Sequence, residues 1–249
     1  MRPWLARLGT PALDRLNAFA EEAGLRTESG RPVRFVPPHP ADPYYEVQVF
    51  ETGCVSTRPE NRHDLFNALA WLAFPRTKAR LNAMHAAEIP GERGRRGRKR
   101  DLLTLLDEGG VIVQCRDEGL IEMLRGFRWK ELFWHNRERV LGSMRLAVLG
   151  HAVLEKALEP WPGISCKAVL VAPGADPDEQ AAAWLAGLPA DATPKDIPVM
   201  PVFGYPGWLP GSDSPALYDD TRYFRPSRPR ETPGTAAPAL PGPLPDARR

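Results

Sequence analysis

Cysteine is scarce in this chain, with Cys54, Cys115 and Cys166 as the only three among 249 positions. No two of them have the close spacing of a zinc site or a redox dithiol, and a disulfide scaffold needs many more cysteines. Each is flanked by apolar or β-branched residues, so we expect buried free thiols in strands. Unpaired thiols are typical of a reducing compartment, which predicts a cytoplasmic protein.

A continuous apolar run is also missing. Residues 1–24 carry apolar side chains at helical spacing but include Asp14, Glu21 and Glu22, a pattern of neither a signal peptide nor a membrane span. Lysine is rare, since six lysines accompany 27 arginines, and the net charge is only +2. This balance indicates no strong preference for nucleic acid or membrane, and the arginine bias is typical of a GC-rich genome.

The motifs of several well-known catalytic sites are absent. The chain has no Gly-x-Ser-x-Gly elbow, no phosphate loop ending in Gly-Lys-Ser/Thr and no His-Glu-x-x-His. His63 followed by Asp64 is similar to the pair in metal-dependent phosphohydrolases, but the only upstream histidine, His39, lies in a proline-rich loop. Residues 44–57 lack the hairpin histidine of ββα-metal nucleases. We therefore predict no metal site, and the residues assign no cofactor.

Periodicity and proline content predict an α+β fold, with helices packed on a small mixed sheet and a proline-rich C-terminal arm. The expected strands are a hairpin at 44–57 and segments at 111–115 and 165–172, and the strongest helical signal covers 127–158. Thirteen of the 28 prolines lie from position 190 onward. Because aromatics persist there, we predict that an extended arm, 190–230, packs on the body and completes a single domain, 1–230. The composition of 231–249 predicts a disordered tail.

The polar residues between Asn61 and His85 are the most informative feature present. They lie in NRHDLFNALAWLAFPRTKARLNAMH, which predicts two helices separated at Pro75, the first capped by Asn61 with Asp64 in a capping box. Helical spacing places two polar sets on one face each: His63 and Asn67 with Asp64 beside them, and Lys78, Asn82 and His85.

If the break at Pro75 folds the helices together, these faces meet and suit acid–base chemistry on an anionic oxygen. His63 would then be the acid or base, Asp64 its orienting partner and His85 a second proton donor. Substrate contacts would come from Asn67, Lys78 and Asn82. The structural alternative makes Asp64 a helix cap, His63 a surface residue, and Lys78 and Asn82 part of a solvated face.

Other polar groups are weaker candidates. His151 and Glu155 are four apart, but His151 lies on an apolar stripe and is expected to be a hydrogen-bonded core histidine. Asp107 and Glu108 precede two glycines and are typical of a turn. The segment 91–100 is predicted to be a loop, and it could contact nucleic acid or an acidic partner through Arg93, Arg95, Arg96, Arg98, Lys99 and Arg100. A plain solvated loop is the alternative.

Four segments of the chain, taken together, resemble a known protein family. ETGCVSTRPENRHDLFNALAWLAFPRTKARLNAMH, RDLLTLLDEGGVIV, FGYPGWLP and YDDTRYFRP together resemble the bacterial family labelled domain of unknown function 3025, over roughly residues 10–228. This resemblance implies a single-domain protein and no particular reaction. Two hypotheses stay open: a hydrolase-like or transferase-like enzyme acting on a small or phosphorylated substrate, and a non-enzymatic binding or scaffold protein that uses residues 91–100.

Overall fold

A computed structural model of the protein describes residues 13–92, 96–161 and 163–226. The α-helices in chain order are α1 (Leu13–Glu22), α2 (Tyr45–Thr52), α3 (Arg62–Ala73), α4 (Pro75–Glu88), α5 (Arg98–Gly109), α6 (Glu118–Arg125), α7 (Arg137–Ser143), α8 (His151–Lys156) and α9 (Pro177–Ala186). The strands are β1 (Arg34–Val36), β2 (Cys54–Ser56), β3 (Gly110–Cys115), β4 (Met144–Val148), β5 (Cys166–Val171) and β6 (Val199–Met200). Short 3-10 helices cover Ile89–Gly91, Val202–Gly204 and Pro215–Asp219, and a π-helix covers Glu131–His135.

Two small sheets accompany the helices, which confirms the predicted α+β class. The larger sheet has the order β4-β3-β5-β6, with β3 parallel to β5 and antiparallel to β4. The smaller sheet pairs β1 with β2 in parallel. Within the described residues the larger sheet is therefore mixed, because β3 and β5 run together while both outer strands run against them.

The central strand β3 is buried on both of its faces, as its nearly unbroken apolar sequence predicts. Alternating side chains place Val111 and Val113 in one core with the C-terminal arm, whereas Ile112 lies in another core with the leucines of α5. The sheet thus separates two apolar layers. Helix α5 packs against α4 and α8, and α3 packs against α8, so these four helices enclose the polar site described below.

The predicted hairpin at 44–57 is wrong, because residues Tyr45–Thr52 form α2. The alternation of Tyr45 and Val49 fits a strand, but these residues are also four apart and share one side of a helix turn. Gly53 ends the helix with a φ of 79°, a left-handed conformation that glycine adopts at little cost. The chain then enters β2, which pairs in parallel with β1 and not, as a hairpin would require, with the residues just before Gly53.

The predicted long helix over 127–158 is also wrong. It is divided by strand β4, whose residue Leu146 lies opposite Val113 of β3. Backbone pairing with the exposed edge of β3 overrides the helical periodicity, a tertiary effect that local spacing does not reveal. The helical parts on either side are the π-helix and α7 before the strand and α8 after it.

The proline-rich arm packs on the body up to residue 226, and its tyrosines anchor it. The Tyr205 hydroxyl donates to the Met144 carbonyl oxygen at 2.9 Å. The Tyr223 hydroxyl donates to the Ile164 carbonyl oxygen at 2.8 Å and accepts from the Phe203 amide at 3.0 Å. Because buried hydroxyls need such partners, these bonds help to fix an arm whose regular structure is limited to β6 and two short 3-10 helices. The tail predicted to be disordered, 231–249, lies outside the described residues.

Candidate functional site

A cavity of about 490 Å³ gathers much of the polar sequence between Asn61 and His85. Of the six predicted catalytic and substrate-binding residues, His63, Asp64, Asn67 and His85 line this cavity. Lys78 is buried behind its wall and contacts Asn67, and Asn82 is likewise buried. The break at Pro75 therefore does bring the two polar helix faces together. The cavity also takes in residues from other elements, namely Tyr45, Glu46, Arg100, Asp107 and His151.

His63 lies at the start of α3 and has both ring nitrogens engaged. Its Nδ1 lies 3.0 Å from Glu155 Oε2, and its Nε2 lies 3.1 Å from His151 Nε2. The two imidazole rings meet edge to face, with centroids 4.6 Å apart. His151 in turn donates from Nδ1 to the Asp107 carbonyl oxygen at 2.9 Å. Helix α8 thus supplies both partners of His63 from its first and fifth residues.

Asp64 does not orient His63, contrary to the sequence prediction. Its carboxylate accepts three hydrogen bonds from Arg58, one from the backbone amide at 2.8 Å and two from the guanidinium at 2.9 Å. Asn61 does cap the helix, since its Oδ1 accepts from the Asp64 amide at 3.0 Å. The arginine six residues earlier therefore takes the Asp64 carboxylate, and Glu155 occupies the place beside His63.

A buried charge pair supports the floor of the site. Lys78, which is only 3% exposed, forms an ion pair with Asp107 and donates to Asn67 Oδ1 at 2.8 Å. Burial alone would raise the pKa of Asp107, but the charges of Lys78 and His151 outweigh it and hold that pKa below its ordinary value. Asp107 is therefore a carboxylate at neutral pH.

Asn67 carries the polar chain onward to Tyr45. Its Nδ2 donates to the Tyr45 hydroxyl at 2.9 Å, so both ends of the Asn67 amide are bonded within the protein. Burial, reinforced by the charges of Glu46 and Asp107, raises the pKa of Tyr45 well above its ordinary value. The Tyr45 hydroxyl accordingly stays protonated, and its hydrogen is available as a donor to the cavity.

Glu46 is a carboxyl group of the cavity whose pKa is shifted close to neutrality. Burial and the neighbouring Asp107 charge raise its pKa to about 7. The Asn82 amide donates to Glu46 Oε2 at 2.8 Å and to the Glu46 carbonyl oxygen at 2.9 Å. Asn82 therefore positions Glu46, whereas the sequence had suggested a direct substrate contact for it. A carboxyl group with such a raised pKa can accept or donate a proton near pH 7.

His85 shares the cavity but has different partners from those of His63. It is 2% exposed, and its Nδ1 accepts from Arg100 Nε at 3.4 Å. Burial lowers the pKa of His85 to about 4, so the ring is neutral at pH 7 and its proton lies on Nε2. The predicted second proton donor is thus a neutral hydrogen-bond donor in this structure.

The predicted basic loop is only partly a loop, because Arg98, Lys99 and Arg100 begin α5. Arg93 and Arg95 lie outside the described residues. Arg100 is buried and donates to Glu92 Oε2 at 2.6 Å and to the Tyr44 hydroxyl at 2.8 Å.

The other basic residues of this segment are partly neutralised as well. Lys99 pairs with Glu88 at 2.9 Å, and Arg96 pairs with Asp101 at 3.4 Å. Within the described part of the segment, carboxylates of the chain itself therefore balance these cations, and only the fully exposed Arg98 has no carboxylate beside it in the structure.

Gly150 allows the backbone before His151 to pass close to the backbone at Glu108 and Gly109. A Cβ at Gly150 would lie 2.6 Å from the Glu108 carbonyl oxygen and 2.6 Å from Gly109 Cα, distances shorter than atoms tolerate. The Gly150 amide also donates to the Gly110 carbonyl oxygen at 2.9 Å. This close crossing of two backbones sets the start of α8 on the end of α5, which brings His151 to the Asp107 carbonyl.

Sequence reasoning missed several members of the site. His151 was assigned to the core, and it is indeed buried and hydrogen-bonded, yet it also contacts His63. Its spacing from Glu155 was the one available signal, because i, i+4 pairs share a helix face. Asp107 was assigned to a turn. Tyr45 and Glu46 were hidden by the wrong hairpin.

A model of one protein family, described as Protein of unknown function (DUF3025), matches residues 33–228. The chain belongs to this family. The DUF3025 match includes every cavity residue named above. Searches of curated proteins and of solved structures found no match.

The described residues were compared with the requirements of a metal site and of a membrane span. Across the described ranges, no three histidine, cysteine, aspartate or glutamate side chains converge in a way that could hold a metal ion. None of the helices in those ranges is both long and apolar enough to span a membrane.

Proposed function

We propose that this DUF3025 protein is a hydrolase-like or transferase-like enzyme that performs acid–base chemistry on a small polar substrate in the cavity. The observation that supports this most directly is the setting of His63. Its ring lines the cavity and is 39% exposed, with a carboxylate on one nitrogen and a second imidazole on the other. A histidine fixed by a carboxylate and open to a cavity is suited to proton transfer.

The neighbouring groups supply the other functions that such a reaction needs. His63 transfers the proton, and Glu155 orients its ring. The hydroxyl of Tyr45 and the Nε2–H of His85 are neutral donors for an oxygen of the substrate. Glu46 is a second proton-transfer group, because its pKa is raised to about 7. Lys78 and Asp107 hold this set in place from below.

The scaffold hypothesis has less support. It needs a free basic segment, whereas Arg96, Lys99 and Arg100 face carboxylates of the same chain. We retain the cytoplasm as the proposed location, because Cys54, Cys115 and Cys166 are all free thiols.

The test compares the unchanged protein with His63→Gln in two assays. The first uses nitrophenyl esters and phosphates, and the second follows a mixture of cellular metabolites by untargeted mass spectrometry. We expect one substrate class to be consumed by the unchanged protein and about a hundredfold more slowly by His63→Gln, the low end for loss of an acid–base group. His135→Gln, which changes an exposed histidine outside the cavity, is the matched control and should keep full activity.

A second pair of variants tests the assignment of the orienting carboxylate. Glu155→Gln should slow the same conversion about tenfold, since it removes the charge that holds His63. Asp64→Asn should change it much less, because Asp64 is bonded to Arg58. Equal rates for His63→Gln and the unchanged protein would contradict the proposed function.

A further inference from the structure

Hydrogen-bond directions around His63 and His151 determine where their protons lie. The Asp107 carbonyl oxygen can only accept, so His151 Nδ1, at 2.9 Å, must carry a hydrogen. Glu155 as a carboxylate can also only accept, so His63 Nδ1, at 3.0 Å, carries a hydrogen as well. Two neutral imidazoles have one N–H each, and both hydrogens are now used on the Nδ1 atoms.

The remaining nitrogens then face each other with no hydrogen between them. The Nε2 atoms lie 3.1 Å apart, a normal distance for a hydrogen bond and an unfavourable one for two bare lone pairs. One additional proton between them removes the conflict. With this additional proton, His63, His151 and Glu155 together hold three protons. Moving the His63 Nδ1 proton to Glu155 leaves that total unchanged.

We propose that His63 and His151 share this third proton between their Nε2 atoms, so the resting site is an imidazolium–imidazole pair balanced by Glu155. His63 carries the positive charge, since it lies beside Glu155, and burial lowers the pKa of His151 to about 4. The catalytic consequence, which rests on the proposed function, is that the site acts first as an acid. His151 is then a positioning residue that keeps His63 loaded with a proton.

The charges that face the pair from the packed helices fit this assignment. Glu155 comes from α8, and Asp64 of α3 also interacts electrostatically with His63. From α5, Asp107 Oδ2 lies 3.7 Å from His151 Nδ1, and Lys78 of α4 is neutralised by the same Asp107. Because Arg58 pairs with Asp64 and Lys78 pairs with Asp107, Glu155 is the carboxylate that balances one extra positive charge on the pair.

An acid that is loaded in the resting state favours substrates with a poor oxygen leaving group, namely esters or phosphoesters of alcohols. In that reaction the departing oxygen replaces His151 Nε2 as the acceptor, and the shared proton moves from His63 Nε2 to this oxygen, which keeps the electron pair of the broken bond. A water molecule or an acceptor hydroxyl forms the new bond to carbon or phosphorus. The proton that this nucleophile loses returns to the histidine pair, so the pair is unchanged after each turnover.

The test is nuclear magnetic resonance of the chelator-treated protein, labelled with ¹⁵N in histidine, without any substrate. We expect a scalar coupling across the hydrogen bond between His63 Nε2 and His151 Nε2, with both Nδ1 atoms protonated. His151→Gln should abolish this coupling, and His135→Gln should leave it intact. As the pH is raised, the coupling in Glu155→Gln should disappear at a lower pH than in the unchanged protein, because the carboxylate that balances the shared proton is gone.

Two results would overturn the shared proton. One is the absence of the coupling in the unchanged protein at neutral pH, with an unprotonated Nδ1 on either ring. The other is a histidine spectrum that changes on chelation and returns with added zinc, which would place a metal ion between the rings. If the coupling is present while His63→Gln keeps full activity, the shared proton stands and the enzymatic proposal fails.

Discussion

Arg100 and His63 both line the cavity, yet their hydrogen bonds are completed in opposite ways. Arg100 is 4% exposed, and each of its three guanidinium nitrogens donates to an acceptor: Glu92, Tyr44 or His85. The side chain of His63 is 39% exposed against 4% for that of Arg100, and His63 depends on a partner, His151, that offers the same kind of atom. The comparison teaches that burial and charge alone do not mark the side chain proposed to react, because Arg100 is the more buried and the better satisfied of the two.

Lys78 offers the largest test of this comparison, because its partner Asp107 lines the same cavity and lies beside His151. Lys78→Met leaves Asp107 buried without its counter-charge, and we expect the free energy of unfolding to fall by about 3 kcal/mol. Urea unfolding measures this. Lys130→Met is the control, because Lys130 pairs with Asp219 at the surface and should cost about 1 kcal/mol or less. Equal losses in the two variants would show that the buried pair is not a structural support.

Arg100 gives the next largest effect. Arg100→Met removes the hydrogen bonds to Glu92 and Tyr44 and should lower the free energy of unfolding by about 2 kcal/mol. Because the Arg100 charge helps burial to lower the pKa of His85, the same variant should raise that pKa above about 4. Histidine titration by nuclear magnetic resonance reads the second effect. Arg98→Met, on the exposed side of the same helix, should change neither quantity; an unmoved pKa in Arg100→Met would refute the proposed contact.

The pH dependence of stability gives the smallest effect per step. Burial lowers the pKa of both His85 and His151 to about 4 from an ordinary 6.5, so between these values the unfolded chain binds more protons at both sites. Glu46 acts in the opposite direction between 4.5 and about 7, where the folded protein binds the additional proton. The balance is one proton in favour of the unfolded chain. Stability should therefore fall by about 1.4 kcal/mol per pH unit as the pH drops from 6 to 5.

A variant isolates the Glu46 contribution to that slope. Glu46→Gln should roughly double the loss to about 2.8 kcal/mol per pH unit, because the two histidines then act unopposed. Urea unfolding at pH 5, 5.5 and 6 measures both slopes. A stability of the unchanged protein that stays constant between pH 6 and 5 would show that one of the two histidines is already charged in the folded state.

The part of the site that sequence predicted correctly depends on local spacing. Asn61 caps its helix, Pro75 separates the two helices, and His63 and His85 reach one cavity, all as the helical repeat indicates. Glu155 and Asp107 could not be found in this way, since Glu155 lies 92 residues from its partner His63 and Asp107 lies 29 residues from Lys78. Their positions depend on how α5 and α8 pack, which spacing within one helix does not encode.

The errors in the fold have the same origin. The stretch 44–50 satisfies both the strand and the helix repeat, and its outcome is decided by the turn at Gly53 and by packing on α4. Residues 144–148 form strand β4 where a helix was predicted, because they pair with the edge of β3. The local preference was ambiguous at 44–50 and helical at 144–148, and in both places a partner distant in sequence determined the structure.

Gly150 has no side chain, yet the geometry of the site depends on it. Since even a methyl group there would collide with the backbone at Glu108 and Gly109, the range of tolerated residues at this position has one member. Variation at 150 should therefore disturb the histidine pair more than a surface change at the cavity rim would, although Gly150 has no side chain of its own. For anyone sorting natural variants of this protein by effect, the absence of a side chain at this crossing ranks with the two imidazoles it brings together.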